Sequence, residues 1–321
     1  MLLNILFILA GFFILVHGAN YFVLGAASIA RKLGISAIVV GLTIVAIGTS
    51  APEFFVNVIA AYQGATDLSI GNILGSNLAD ILLGLGIAAI IVPLHIKKGT
   101  IWKEIPFSLL AAIFILIFGA DSFISGVFPN ELGRIEGIAL LGFFVIFITY
   151  TFGLAKVKNG ISLRDEKIEI LSWFMSVGYT VGGIAALAIG GKLAVDGAVA
   201  IADIFGISQN LIGLTVVAAG TSLPEIVTAI VAARKGHIDL VVGGIVGTII
   251  FNALFALGAT AVVRPLPFSG ENLIDSMVVV AATVLLFVFM FVGRKHTLER
   301  WQGYVFIAIY FVYLAYIMMR G

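Results

Sequence analysis

Two ten-residue stretches combine oxygen-bearing side chains with helix-breaking residues in otherwise apolar surroundings. "VAIGTSAPEF" covers Val45–Phe54, and "VAAGTSLPEI" covers Val217–Ile226. In each, proline removes one backbone N–H and disfavours helical geometry at the residue before it. Carbonyls at Ala46–Thr49 and Ala218–Thr221 are thereby released about one turn earlier. Glu53 and Glu225 follow the prolines, with Ser50 and Ser222 three positions before them on the same face. Carboxylate, carbonyl and hydroxyl oxygens are the ligands of hard cations such as Ca²⁺ and Na⁺. A second polar cluster follows each motif. "GNILGSNLAD" (71–80) places Ser76 and Asp80 four apart, and "GGIVGTIIFN" (243–252) does the same with Thr248 and Asn252.

These residues lie inside hydrophobic segments. The chain is 61% hydrophobic and 11% charged over 321 residues, where soluble domains carry roughly 25% charged residues. It reads as an all-α, multi-pass integral membrane protein. Having no cysteine excludes disulfides, thiolate metal sites and cysteine nucleophiles. The net charge of +1 gives no sign of nucleic-acid binding. Hydropathy predicts ten spans, at 3–30, 36–62, 68–92, 104–124, 135–156, 170–202, 208–233, 240–262, 273–293 and 301–319. Fourteen of the eighteen Lys and Arg fall in loops after odd-numbered spans. The positive-inside rule therefore predicts those loops in the cytoplasm and both termini outside a cell (plasma or inner) membrane.

The stretches from Gly41 and Gly213 align without a gap at an offset of 172, with 21 identities in 46 positions. The repeat unit holds five spans, an odd number, so the second copy is expected to enter the membrane from the opposite side. The predicted organisation is a five-helix repeat (1–157), a short cytoplasmic linker (158–169) and an inverted five-helix repeat (170–321). Inverted repeats with broken helices near the midplane are a signature of secondary transporters.

Each acidic residue at mid-membrane costs roughly 2.5–3.5 kcal/mol, so Glu53, Asp80 and Glu225 together would cost on the order of 8–10 kcal/mol unpaired. The four helices that carry them contain no Lys or Arg. Bound cations, or protons, are expected to compensate. A purely structural hydrogen-bonded cluster is the bland alternative. Asn57, Asn72 and Asn77 have apolar or small counterparts (Ala229, Gly244, Ile249) and are read as packing or access-path residues. His17 is expected to be a core histidine. Lys192 and Asp196 form an i,i+4 pair. Asp121, Asp203, Glu131, Glu136, Glu271 and Asp275 are expected to be solvated near the external ends.

GTSxPE followed by GxxxGSNxxD or its relative, twice, in ten spans, resembles the cation/calcium antiporter superfamily, most closely a prokaryotic sodium/calcium exchanger. The resemblance covers nearly the whole chain. It implies no catalysis and no cofactor or protein partner, only Na⁺ and Ca²⁺ as transported ions in a lipid bilayer. By the same resemblance Glu53 and Glu225 bind Ca²⁺ and share in Na⁺ binding, and the Thr49 and Thr221 carbonyls are Ca²⁺ ligands. Ala46, Ser50 and Ser76 resemble one Na⁺ site, and Ala218, Ser222 and Thr248 the other. Asp80 and Asn252 match the remaining central pair, although some relatives carry Asn first and Asp second. The resemblance also implies that spans 1 and 6 slide against the other eight. A cation/proton antiporter on the same fold, and less readily a cation channel, are the competing readings.

Overall fold

The structure is a computed structural model that describes residues 1–63, 66–120, 130–156, 170–205 and 218–320. The first half begins with α1 (Leu2–Leu33), which Gly34 closes in a left-handed conformation (φ 63°). Next come α2 (Ala37–Val40), a π-helical turn (Gly41–Val45) and α3 (Ala46–Gln63). A similar composite follows: α4 (Thr66–Ala79), a π turn (Asp80–Leu85) and α5 (Gly86–Ile91). The half ends with α6 (Lys98–Trp102), α7 (Glu104–Gly119) and α8 (Arg134–Lys156). The second half contains α9 (Trp173–Ile204), α10 (Ala218–Thr221) and α11 (Leu223–Arg234). It continues with α12 (Ile238–Ile250), a π turn (Phe251–Ala256), α13 (Leu257–Val263), α14 (Gly270–Phe289) and α15 (Arg300–Arg320).

Among the described residues, eight helical stretches are long and apolar enough to cross a bilayer. The pair Ala37–Ala51 and Glu53–Ile59, bent by 50°, makes a ninth. The expected seventh span (208–233) lies partly outside the described residues, as does the expected linker (158–169). The stretch Ile238–Val263 is almost wholly buried, whereas α1 and α8 turn most of their surface outward. The helices carrying the two polar clusters therefore form the centre, and the remaining helices shield them from lipid.

Two short ladders tie the halves together. Leu94–His95 (β1) pairs with Thr297–Leu298 (β4), and Glu131–Leu132 (β2) pairs with Leu266–Pro267 (β3), both antiparallel. Each ladder joins one half to the other.

Close helix contacts depend on glycine. Gly11, Gly18 and Gly25 of α1 recur seven residues apart, as do Gly183, Gly190 and Gly197 of α9, each 172 positions later. The two helices run antiparallel along this seam. A Cβ on Gly190 would stand 2.8 Å from Gly11 O and Leu15 N, and one on Gly183 would stand 2.6 Å from Phe22 Cβ. Small residues let backbones approach in lipid, where packing replaces the hydrophobic effect as the driving force. At one end Ser28 Oγ meets Ser176 Oγ at 2.9 Å, and Lys32 lies over the Trp173 ring.

Several expectations about charged and polar side chains change. Asp275 is buried, not solvated, because Arg320 grips both its oxygens at 3.0 and 3.2 Å. Glu271 joins them from the surface. His17 is exposed on α1 and bonds the Phe13 carbonyl of its own helix at 2.9 Å, so it is not a core residue. Lys192 and Asp196 do pair, at 2.8 Å. Asp121 lies outside the described residues.

Gly190→Leu is expected to cost about 1–3 kcal/mol by overpacking the α1–α9 seam. A thermal melt of the detergent-solubilised protein checks it. An unchanged midpoint would mean that the seam does not constrain the pair.

Candidate cation site

The first GTSxPE motif bends its helix without unwinding it. α3 is continuous from Ala46 to Gln63, so the expected break is a kink of 50° between Ala51 and Glu53. The freed carbonyls are partly used by the helix's own threonine. Thr49 Oγ1 donates to Val45 O at 3.0 Å and reaches Ala46 O at 3.5 Å. The second motif does interrupt its helix. α10 ends at Thr221, Ser222 is non-helical (φ −83°, ψ 3°), and α11 restarts at Leu223 with Pro224 in its first turn. Proline fits there because a first-turn N–H has no intrahelical partner to lose.

The motif glycines serve packing. A Cβ on Gly48 would meet Ile184 Cδ1 at 2.7 Å, and one on Gly220 would meet Val195 Cγ2 at 2.3 Å. Both contacts come from α9. Close approach of α9 to the bend is what these positions require, rather than the flexibility that the sequence suggests.

The two halves interlock through polar atoms. Ser76 Oγ donates to Glu53 Oε1 at 2.9 Å and meets Thr221 Oγ1 at 3.4 Å. Asn252 Nδ2 reaches Glu53 Oε2 at 3.5 Å. Ser50 Oγ donates to Glu225 Oε1 at 3.2 Å and contacts Thr248 Oγ1 at 3.4 Å. Glu53 thus receives a donor from each half, and the Glu225 carboxylate is reached from the first half by Ser50. One hydroxyl contact also crosses the two Na⁺ groups implied by the resemblance, since Ser50 meets Thr248, and Ser76 meets Thr221 across the halves. Thr49, Ser50, Glu53, Ser76, Asp80, Ser222, Glu225, Thr248 and Asn252 are all buried. Thr221 is half-buried, Ala46 is buried, and Ala218 begins α10.

Not every predicted side chain is engaged. Both Asp80 oxygens, Glu225 Oε2, Asn252 Oδ1 and Ser222 Oγ are buried without a hydrogen-bond partner. Four of these five atoms can only accept. Buried acceptors normally find donors, and an unmet one costs about 1–3 kcal/mol, more when charged. Thr228 Oγ1 and the amide nitrogens of Asn57 and Asn77 are also buried without partners, so donors are present but not aimed at these oxygens. Carboxylate oxygens left without donors suit a cation, which takes electron pairs. The carboxylates do not converge on one point by themselves. Among the described residues no three acidic, histidine or cysteine side chains are placed to hold one metal ion. Any cation held here therefore needs hydroxyl, amide or carbonyl oxygens beside the acids.

Sequence reasoning left Asn57 and Asn72 outside the site, yet both connect to it. Thr221 Oγ1 donates to Asn72 Oδ1 at 3.3 Å, and Asn72 Nδ2 donates to Asn57 Oδ1 at 3.2 Å. The usable signal was spacing: Asn57 is four residues after Glu53 and Asn72 four before Ser76. Asn77 is fully buried, with neither polar side-chain atom partnered.

Kinked and π-bulged apolar helices gathered around buried, unpartnered oxygens fit a membrane carrier of cations. The sequence profile of the sodium/calcium exchanger protein family matches residues 3–153 and 175–319, and the chain belongs to that family. It is 30% identical to the sodium/calcium exchanger MaX1 of Methanosarcina acetivorans, over 97% of both chains. It is 35% identical to the inner membrane protein YrbG of Escherichia coli, over 83% of this chain and 81% of that one. Its fold resembles that of the sodium-calcium exchanger NCX_Mj in a structure soaked with Na⁺ and Sr²⁺. That match has a TM-score of 0.83 and 33% identity, covering 98% of each chain.

Ser76→Ala removes the shortest bond to Glu53. A hydrogen bond to a charged group is worth roughly 1.5–3 kcal/mol, so the Ca²⁺ half-saturation of transport is expected to rise about ten- to a hundredfold. Concentration-dependent Ca²⁺ uptake into proteoliposomes checks it.

Proposed function

We propose that this protein exchanges Na⁺ for Ca²⁺ across a cell membrane through one shared site, with alternating access to the two faces. The observation that carries the reading is the group of buried, unpartnered acceptor oxygens around Glu53, Asp80 and Glu225. The names of the relatives MaX1 and NCX_Mj support the choice of ions.

In this reading Glu53 and Glu225 are the central acids, which hold Ca²⁺ or Na⁺ in alternation. Thr49 and Thr221 contribute backbone carbonyls to Ca²⁺. Ala46, Ser50 and Ser76 serve one flanking Na⁺ position, and Ala218, Ser222 and Thr248 the other. Asp80 and Asn252 complete the middle. Because the two loads compete for overlapping oxygens, binding one displaces the other, and exchange is coupled without a separate gate for each ion.

The chain is proposed to span the membrane ten times as two inverted five-helix repeats (1–157 and 170–321, joined by 158–169), with both termini outside. The crosswise ladders and the antiparallel α1–α9 pair support inversion. The α1–α9 pair is the moving unit. It meets the site where Ile184 and Val195 touch the motif glycines, so its displacement acts directly on both bends.

The second reading is cation/proton antiport at the same oxygens. Three carboxylates in one site favour it, since each can carry a proton in place of a metal ion. Reconstituted vesicles loaded with Na⁺ and diluted into Na⁺-free buffer separate the two. Na⁺-driven ⁴⁵Ca²⁺ uptake is expected, abolished by Glu53→Gln or Glu225→Gln. Uptake driven only by a pH gradient would replace Na⁺ with H⁺. Ca²⁺ equilibration without any counter-ion gradient would indicate a channel.

A further inference from the structure

The polar interior is lopsided. From Glu53 a continuous chain of side chains runs through Ser76 and Thr221 to Asn72 and then Asn57, in steps of 2.9–3.4 Å. Ser69 Oγ extends it by donating to the Asn57 backbone carbonyl at 3.2 Å. The chain leads toward the end of the molecule where α3 finishes and α4 begins. Asn57 and Ser69 are buried, and Asn72 is half-buried.

The related positions in the second half, 172 residues later, are Ala229, Val241 and Gly244. There the counterpart of Thr221, which is Thr49, bonds Val45 O of its own helix and lies beside Glu225, and the positions that would continue the chain carry no amide. Beside Glu225 the same three positions line a cavity of about 10 Å³ with Leu240, Ile245 and the threonines Thr49, Thr228 and Thr248. That is room for about one water molecule at most. One approach to the central acids is thus lined by two amides and a serine, and its counterpart by threonine hydroxyls and hydrocarbon with no amide among the lining residues.

Amides buried in a membrane protein need a reason, because each unmet polar atom there is costly. This pair is not fully satisfied even within its own network, since Asn57 Nδ2 is buried without a partner. A carbonyl oxygen has two lone pairs. Among the described residues Asn57 Oδ1 and Asn72 Oδ1 each accept one hydrogen bond and keep the second lone pair for another ligand. Thr221 Oγ1 and Ser69 Oγ lie alongside. Neutral oxygens in this number suit a partly hydrated hard cation, which binds them more weakly than carboxylates and leaves again quickly.

We propose that Asn57, Asn72 and Ser69 form a one-sided antechamber. There Na⁺ or Ca²⁺ exchanges part of its water for amide and hydroxyl oxygens before passing Thr221 to Glu53. The inference rests on Glu53 belonging to the transport site and adds a directional asymmetry that two equivalent repeats would not have. A simple packing clamp between α3 and α4 would make no such difference between faces.

The test gives the first half the residues of the second, as Asn57→Ala and Asn72→Gly singly and together. Ca²⁺ transport is measured in proteoliposomes of determined orientation, with Ca²⁺ supplied from each face in turn. Half-saturation from the α3–α4 face is expected to rise about fivefold, the scale of one neutral hydrogen-bond-sized contact, with the opposite face unchanged. Asn57→Ser, which keeps an oxygen, is expected to restore most of the loss and replaces Asn57→Ala if that variant does not fold. Equal changes from both faces, or none, would overturn the antechamber. Glu53→Gln is run in parallel. If it transports at the wild-type rate, the central-site reading has failed, and the antechamber falls with it for that separate reason.

Discussion

The structure depends on one constraint: three carboxylates lie buried in a membrane protein, and among the described residues no cationic side chain pairs with them. Among the described residues, Lys97, Lys192, Arg294 and Arg320 all find acidic partners, but none of those partners is Glu53, Asp80 or Glu225. Bare carboxylates repel one another and lose their hydration, and the hydroxyls and one amide that reach them supply too few donors to compensate. A mobile positive charge resolves this and can also leave, which a lysine cannot. The rest of the architecture keeps that arrangement out of lipid and water. Helices α3, α4, α10, α11 and α12, with the π turns after α4 and α12, supply the oxygens, and the outer helices face the hydrocarbon. Glycines at 48 and 220 bring α9 against both bends.

The reversed placement of Asp80 and Asn252 follows the polarity around them. Gly303 of α15 packs on Gly86 as Gly137 of α8 packs on Gly258, its counterpart 172 residues on. Seven residues beyond these glycines stand Tyr310 and Phe144, and ten beyond stand Tyr313 and Phe147. Tyr310 lies beside Asp80. Tyr313 neighbours Asp275, which is held by Arg320. On the other side Phe144 packs on Phe251 and Phe255, and Phe147 on Phe107. The carboxylate therefore has a tyrosine beside it, with a second tyrosine and the Asp275–Arg320 pair farther along, and the amide lies in sequence between Phe251 and Phe255, whose rings stack. A charged group is less costly in the first setting than in the second. The Asn57–Asn72 pair belongs to the same polar half, so the asymmetry extends beyond a single exchanged residue.

Much of this was legible in the sequence because oxygen-bearing residues in long apolar runs are costly and therefore informative. Within the repeated GTSxPE motif and the cluster after it, Ser50, Glu53 and Ser76 meet polar partners from the second half, whereas Asp80 and Ser222 stay without a hydrogen bond. What was not legible depended on partners distant in sequence. Gly48 and Gly220 stand in the sequence only as parts of helix-breaking motifs, and their packing against Ile184 and Val195 of α9 needed the structure. Asp275 read as solvated because Arg320 lies 45 residues away. Asn57 and Asn72 looked incidental because their counterparts are Ala229 and Gly244. The structure shows that difference to be an asymmetry of the site's surroundings. The heptad glycines of α1 and α9 lie upstream of the strongest part of the repeat, where little else is identical.

The central claim is that one set of oxygens accepts either ion. Equilibrium ⁴⁵Ca²⁺ binding to the purified protein, titrated with Na⁺, tests it without any assumption about transport direction. The account predicts that Na⁺ raises the apparent dissociation constant for Ca²⁺ without reducing the number of sites, and does so more steeply than a single competing ion would. Ca²⁺ binding that stays unchanged in saturating Na⁺ would contradict it.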